Sequence, residues 1–206
     1  RAVEAREYPG FGLPHPILDV GCGDGHFVTI AFDQPVDVGI DPWGGPVKQA
    51  AKQGGYRLVL QGSGDRLPFE DGHFASAMSN SVLEHIPDVE VVLTDVARVL
   101  QPGAPFVFCV PNHNFLPNLS VARFFVRVGL RGFAAAYRRF FNRISRHYHC
   151  DPPEVWCERL ERAGFDVERW WHYFSPDALR VLEWGHYFGL PSWVSKMVFG
   201  RWILVP

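Results

Sequence analysis

The chain has 206 residues, 47% of them hydrophobic, and a formal net charge of −2. That length suits one domain with a sizeable core, and the charge excludes the global basic field that draws nucleic acid. Four scattered cysteines (Cys22, Cys109, Cys150, Cys157) exclude a small disulfide scaffold and fit a reducing, cytoplasmic setting. The sequence shows no signal-peptide pattern and no run of 18 apolar residues. It starts at Arg1 and stops at Pro206 within an apolar stretch, as a segment of a longer protein would.

Strands and helices are predicted to alternate. "PILDVG" (16–21) is a short apolar run, and a helix follows from Asp24 to about Phe32. "VDVGID" (36–41) reads as a second strand, 45–53 as a helix closed by Gly54-Gly55, and "YRLVLQG" (56–62) as a third strand. "FASAMSNS" (74–81) is a weaker fourth. In 88–103 the apolar positions 89, 92, 93, 96, 99 and 100 form a helical stripe closed by Pro102-Gly103. "APFVFCVPN" (104–112) is a continuous apolar run, which suits a strand buried on both faces. Such alternation predicts an α/β fold: a Rossmann-like, mostly parallel sheet with helices on both faces.

The stretch 113–150 breaks this rhythm. It carries seven arginines, no lysine and no acid, with phenylalanines interleaved, and reads as an inserted helical cap. A further helix follows Asp151-Pro152-Pro153. "FDVERWWHYF" (165–174) reads as a returning strand, with the tail "RWILVP" (201–206) as a potential partner. The expected organisation is one domain: an α/β core over 1–112, the cap over 113–150, and over 151–206 the rest of the core with an aromatic C-terminal segment.

The chemistry concentrates in "ILDVGCGDGHF" (17–27), where Gly21, Gly23 and Gly25 alternate after the first strand. Three glycines in five residues imply left-handed torsions or close backbone approach. The dinucleotide fingerprint needs a glycine where His26 stands, which disfavours a nicotinamide-linked oxidoreductase, and the P-loop lysine is absent. An acid, Asp41, ends the second strand about 20 residues on, where it can accept bonds from a ribose.

This loop, Asp41, "LPF" (67–69), "SVLEHI" (81–86) and "RVLQPGAPFVFCVPN" (98–112) together resemble the class I S-adenosylmethionine (SAM)-dependent methyltransferases, in particular the small-molecule "methyltransferase 11" type. The resemblance covers about 16–112. It implies SAM as cofactor. Asp19 would face its ammonium, with Gly21, Cys22, Gly23 and Gly25 as close backbone. Asp41 and Pro42 would lie at the ribose, and Trp43 either beside the adenine or in the core. Asn80 and Ser81 would border the methionine end, and Leu83 and His85 would wall the site. Where the family reads Gly-Asp-Ala-Glu, this chain reads Gly62-Ser63-Gly64-Asp65, so Ser63 replaces a charged acceptor for the adenine, with Gly64 and Asp65 beside it.

The implied activity is methyl transfer to a small or lipid-like acceptor by direct in-line attack. His85 is the candidate catalytic base, or else a structural group. No residue in the pattern points to a covalent intermediate. The alternative is a catalytically silent SAM-binding module. Arg123, Arg127 and Arg131 are four apart, so they form one stripe on a helix. That stripe is a solvated face, a contact for an anionic substrate, or a contact for an anionic membrane. Five of the seven tryptophans lie in the last 37 residues, which adds weight to an interface. Arg123, Arg127, His147 and His149 are the candidate substrate contacts. His147, His149, Cys150 and Cys157 match no zinc spacing, so no metal is expected.

Overall fold

The computed structural model describes residues 2–185 and Tyr187. Five strands form one parallel sheet in the order β3-β2-β1-β4-β5. They are β1 (Ile17–Val20), β2 (Val36–Asp41), β3 (Tyr56–Gln61), β4 (Ser76–Asn80) and β5 (Phe106–Cys109). The first helices are α1 (Ala2–Ala5), α2 (His26–Ala31), α3 (Gly44–Gln53) and α4 (Val89–Val99). They are followed by α5 (Ser120–Arg127), α6 (Arg131–Ser145) and α7 (Pro153–Arg162).

The sheet is covered on both faces because its strands alternate. Leu18 and Val20 of β1 pack with the stripe Val89, Val92, Leu93, Val96 and Val99 of α4 and with Trp156 and Leu160 of α7. Ile17 points the other way, to Phe27, Val28 and Ala31 of α2 and to Tyr8 and Leu13. Each fully buried side chain of this kind contributes about 1.5–3 kcal/mol relative to exposure. Arg98 pins the "LPF" loop to α4. It donates to Asp95 at 2.7 Å and to the carbonyl oxygens of Phe69 and Leu67 at 2.7 and 3.0 Å.

Register puts the chemistry on one edge. Asp19 pairs with Gly39, Asp41 with Gln61 and Asn80 with Cys109, each at or next to the C-terminal end of its strand. The strand order reverses between β1 and β4, and the crevice outside such a switch point is where open α/β sheets bind ligands.

The molecule divides into two compact units. The first is 1–112 with 147–171. The second is 113–146 with, among its described residues, 172–185 and Tyr187. The insertion therefore ends four residues earlier than expected, and 172–185 groups with it rather than with the sheet. The second unit packs Leu119, Ala122, Ala134, Phe141 and Leu179 together.

Three expectations need correction. Residues 165–175 take neither helix nor strand, and among the described residues no sixth strand joins the sheet; the partner proposed at 201–206 lies outside the described residues. β5 is half-buried along its length rather than fully buried, because it is the edge of the described sheet. Arg123, Arg127 and Arg131 do not share one helix. Gly129 adopts φ +79° and ends α5, so Arg131 starts α6.

Candidate functional site

The loop after β1 is shaped by its glycines. Gly21, Gly23 and Gly25 all have positive φ, at 84°, 56° and 79°. A Cβ on Gly21 would stand 2.4 Å from Val82 Cγ1, so the loops leaving β1 and β4 touch at this point. A Cβ on Gly25 would stand 2.9 Å from the Ala50 Cα of α3. The N–H groups of Gly21 and Cys22 donate to the Ile40 carbonyl at 2.8 and 3.0 Å, which fastens the loop to β2. Cys22 is buried, and burial beside Asp19 drives its thiol pKa far up.

Two carboxylates flank this loop. Asp41 accepts the Gly23 N–H on one oxygen at 3.0 Å and the Trp43 N–H on the other at 2.9 Å. A carboxylate oxygen can accept two bonds, so both retain capacity for a ligand hydroxyl. Asp19 is 3% exposed. Its Oδ2 accepts the Tyr56 hydroxyl at 2.5 Å, and its Oδ1 is buried with no partner. Desolvation, resisted by the Tyr56 bond and reinforced by the charge of Asp41, pushes the Asp19 pKa up to about 7. An unpartnered buried acceptor is costly in isolation, and a cationic ammonium would satisfy it.

Tyr56 escaped the sequence reading, although the sequence holds a trace of it. Gly39 stands among Val36, Val38 and Ile40 in β2, where a side chain would be expected. A Cβ there would lie 2.9 Å from both Tyr56 Cε1 and Cys22 Cβ, so only glycine lets the Tyr56 ring cross β2 toward Asp19.

At the end of β4, Asn80 Nδ2 and Ser81 Oγ donate to the two oxygens of Glu4 at 3.2 and 3.3 Å. Ser81 holds φ +54°, a strained left-handed torsion for a residue with a side chain. Glu4 was not foreseen; 76 residues of chain separate it from Asn80. Leu83 is wholly buried, so it belongs to the core instead of walling a site. Glu84 is buried too, and desolvation pushes its pKa up to about 8. His85 is 41% exposed in its side chain, with Nε2 3.8 Å from Glu84 Oε1. Its ring centroid lies 5.1 Å from that of His147.

The other expected residues are more dispersed. Trp43 is 69% exposed, which removes the core-packing alternative. Pro42 is exposed, and its carbonyl accepts Gln61 Nε2. Ser63 and Asp65 are exposed after β3, while a Cβ on Gly64 would approach Val20 and Val92 to 3.1 Å. His149 Nε2 lies 2.9 Å from the Ile86 carbonyl, and its Nδ1 lies 3.5 Å from Asp151. Arg123 and Arg127 are exposed on α5 of the second unit.

The groups that converge are thus the glycine loop, Asp19, Asp41, Asn80 and Ser81, at the ends of three adjacent strands. Residues 18–108 match the family model described as "Methyltransferase domain". A Mycobacterium sp. (strain JLS) protein named as an uncharacterized methyltransferase is 37% identical over 93 residues, which are 42% of this chain and 35% of that protein. The botryococcene C-methyltransferase of Botryococcus braunii is 36% identical over 98 residues, 44% of this chain and 26% of that one. The matched part therefore spans about a third or less of these relatives. The crystal structure of a SAM-dependent methyltransferase from Thermotoga maritima shares the fold, with a TM-score of 0.58 and 19% identity over 81% of this chain and 71% of that one. The fold is the Rossmann-like one found in class I methyltransferases. Over 18–108, a little under half of the chain, the sequence is similar to the methyltransferase domain family.

Proposed function

We propose that the chain binds SAM at the C-terminal edge of its sheet and directs the methyl group in line onto a small or lipid-like acceptor. The observation that carries this reading is the unpartnered Asp19 Oδ1, buried beside a loop whose three glycines leave room for a ligand's backbone-like end. Asp19 would take the ammonium. Asp41 would accept from both ribose hydroxyls while Gly23 and Trp43 hold its carboxylate still. The exposed Trp43 ring would lie along the adenine, and the 63–65 loop would meet its polar edge. Asn80 and Ser81 would contact the methionine end, either sharing Glu4 with it or releasing Glu4.

When bound, SAM supplies a methyl group on a cationic sulfur, transferred with the carbon–sulfur electrons staying on sulfur. The protein's part is then orientation, an effect worth up to about 7–11 kcal/mol. One relative is named as a botryococcene C-methyltransferase, which supports carbon as one acceptor atom. In the second unit, exposed Phe124 and Phe133 accompany exposed Arg123 and Arg127. That mixture supports a lipid-like acceptor or an anionic membrane surface. No helix of the described residues is long and apolar enough to cross a membrane.

Incubating the protein with methyl-labelled SAM and a lipid-and-metabolite extract tests the reading. Label in an extractable product is expected, with acceptors enriched in the lipid fraction. Tight SAM binding with no labelled product would favour a silent binding module instead.

A further inference from the structure

We infer that Glu84, His85 and His147 form a binding site for one divalent transition-metal ion of the zinc class. One ligand atom from each lies within 4.8 Å of the other two. Among the described residues no other group of three such side chains meets this spacing. Spacing along the chain could not reveal it: 62 residues separate His85 from His147.

Four observations argue for a built site. First, the donor set is two imidazoles and one carboxylate. Zinc takes that set at catalytic centres, and it suits related first-row ions, whereas calcium and magnesium want oxygen throughout. Second, Glu84 is 2% exposed, and its Oε2 is buried without a hydrogen-bond partner. A carboxylate held out of water with an idle oxygen calls for a cation. Third, the two chain segments are clamped together before any ion arrives. The N–H groups of Tyr148 and His149 both donate to the Glu84 carbonyl, at 2.7 and 3.3 Å. Fourth, Cys150 Sγ lies 3.5 Å from His147 Nδ1, the kind of outer contact that fixes a ligand ring.

His85 is the exposed member, so the coordination position left open by three protein ligands would face solvent on that side. A ligand role replaces the base role that its place on the 81–86 loop suggests. If methyl transfer is the activity, an acceptor oxygen at the open position would be polarised and lose its proton more readily. That consequence rests on the proposed function; metal binding itself does not.

The test is zinc titration of the chelator-stripped, folded chain by calorimetry, with cobalt(II) absorption as a second readout and SAM binding measured separately. One equivalent per chain is expected, with a visible cobalt band from a mixed nitrogen–oxygen site. His85→Ala and His147→Ala should each weaken binding on the order of 100-fold, while His15→Gln leaves it unchanged. His85 is exposed, so circular dichroism should show His85→Ala folded. Absence of saturable uptake by the folded chain overturns the site, as does uptake unaffected by both histidine variants. SAM binding that persists without zinc uptake would overturn this site alone. Zinc uptake without SAM binding would support it while sinking the methyl-donor reading.

Discussion

Asp19 in the first unit and Glu183 in the second are both acids with at most 3% of their surface exposed, yet their oxygens are used differently. Glu183 accepts the N–H groups of Ser120 and Val121 at 2.6 and 3.2 Å and the Tyr137 hydroxyl at 2.6 Å. Tyr187 in turn donates to Tyr137 at 2.8 Å. The carboxylate therefore caps the first turn of α5, where orphan N–H groups and the helix dipole favour an anion. Asp19 has the Tyr56 hydroxyl on one oxygen and nothing on the other. A satisfied buried acid builds structure. An unsatisfied one beside a glycine loop leaves an acceptor open, which in the proposed function a cationic ligand takes.

The strongest way to break this contrast is to alter the glycine loop while leaving both acids in place. Gly21→Ala puts a methyl group into Val82 and a side chain at φ +84°. The torsion alone costs about 1–2 kcal/mol, and relieving the clash moves the loop. SAM affinity, read by calorimetry, should fall by more than about 100-fold while the helix stripe of α4 keeps the core folded. Asp41→Ala comes next. Losing two charge-assisted bonds to ribose hydroxyls should weaken SAM about 10- to 100-fold. Undiminished affinity in that variant would refute the ribose assignment.

The same contrast explains what could be read in advance. The bounds of β2 match the expected strand residue for residue, and α4 follows its apolar stripe, because period alone determines which side chains can be buried. That the three glycines, Asp19 and Asp41 meet at one sheet edge was legible, because a glycine-rich turn after a strand and an acid ending the next strand leave few arrangements; their roles toward a ligand are the proposal. Tyr56, Glu4 and Glu183 were not legible, because each acts on a partner that only the tertiary fold brings near. Glu183 reaches 63 residues back to Ser120. Residues 165–174 misled for a different reason. Their β-branched and aromatic content suits a strand, but strand propensity is realised only against a partner strand. The arginine spacing suits one helix, but Gly129, in a left-handed torsion, separates α5 from α6.

Glu183→Gln probes the structural member of the pair. Its amide NH2 would face the donors now bound by a carboxylate oxygen, so about 1–3 kcal/mol of stabilisation is lost from the second unit. Hydrogen exchange should accelerate at Ser120 and Val121, while SAM affinity changes less than about twofold. A large loss of SAM binding would show that the two acids are not independent.

Asp19→Asn gives the smallest stability change but the most specific signature. The folded-state pKa of Asp19 is about 7, above the ordinary carboxylate value. Below roughly pH 4 both folded and unfolded chains hold the proton, and the group makes no difference. As pH rises from about 4 to 7 the unfolded chain ionises while the folded chain resists, so stability drains away. Above pH 7 the penalty is constant. Asn removes it while still accepting from Tyr56, though burying its amide N–H groups offsets part of the gain. Tm should therefore rise by roughly 3 °C at pH 8 and be unchanged at pH 4. Ligand binding should move the opposite way. An ammonium needs the ionised acid, so SAM affinity of the parent chain should fall a few-fold from pH 8 to pH 6, the loss of ionised Asp19 being partly offset as the ligand's α-amino group gains its proton, and Asp19→Asn should remove that fall along with most of the affinity. A variant that gained stability at pH 8 yet kept the pH dependence of binding would place the ammonium elsewhere and leave Asp19 as a strained core residue.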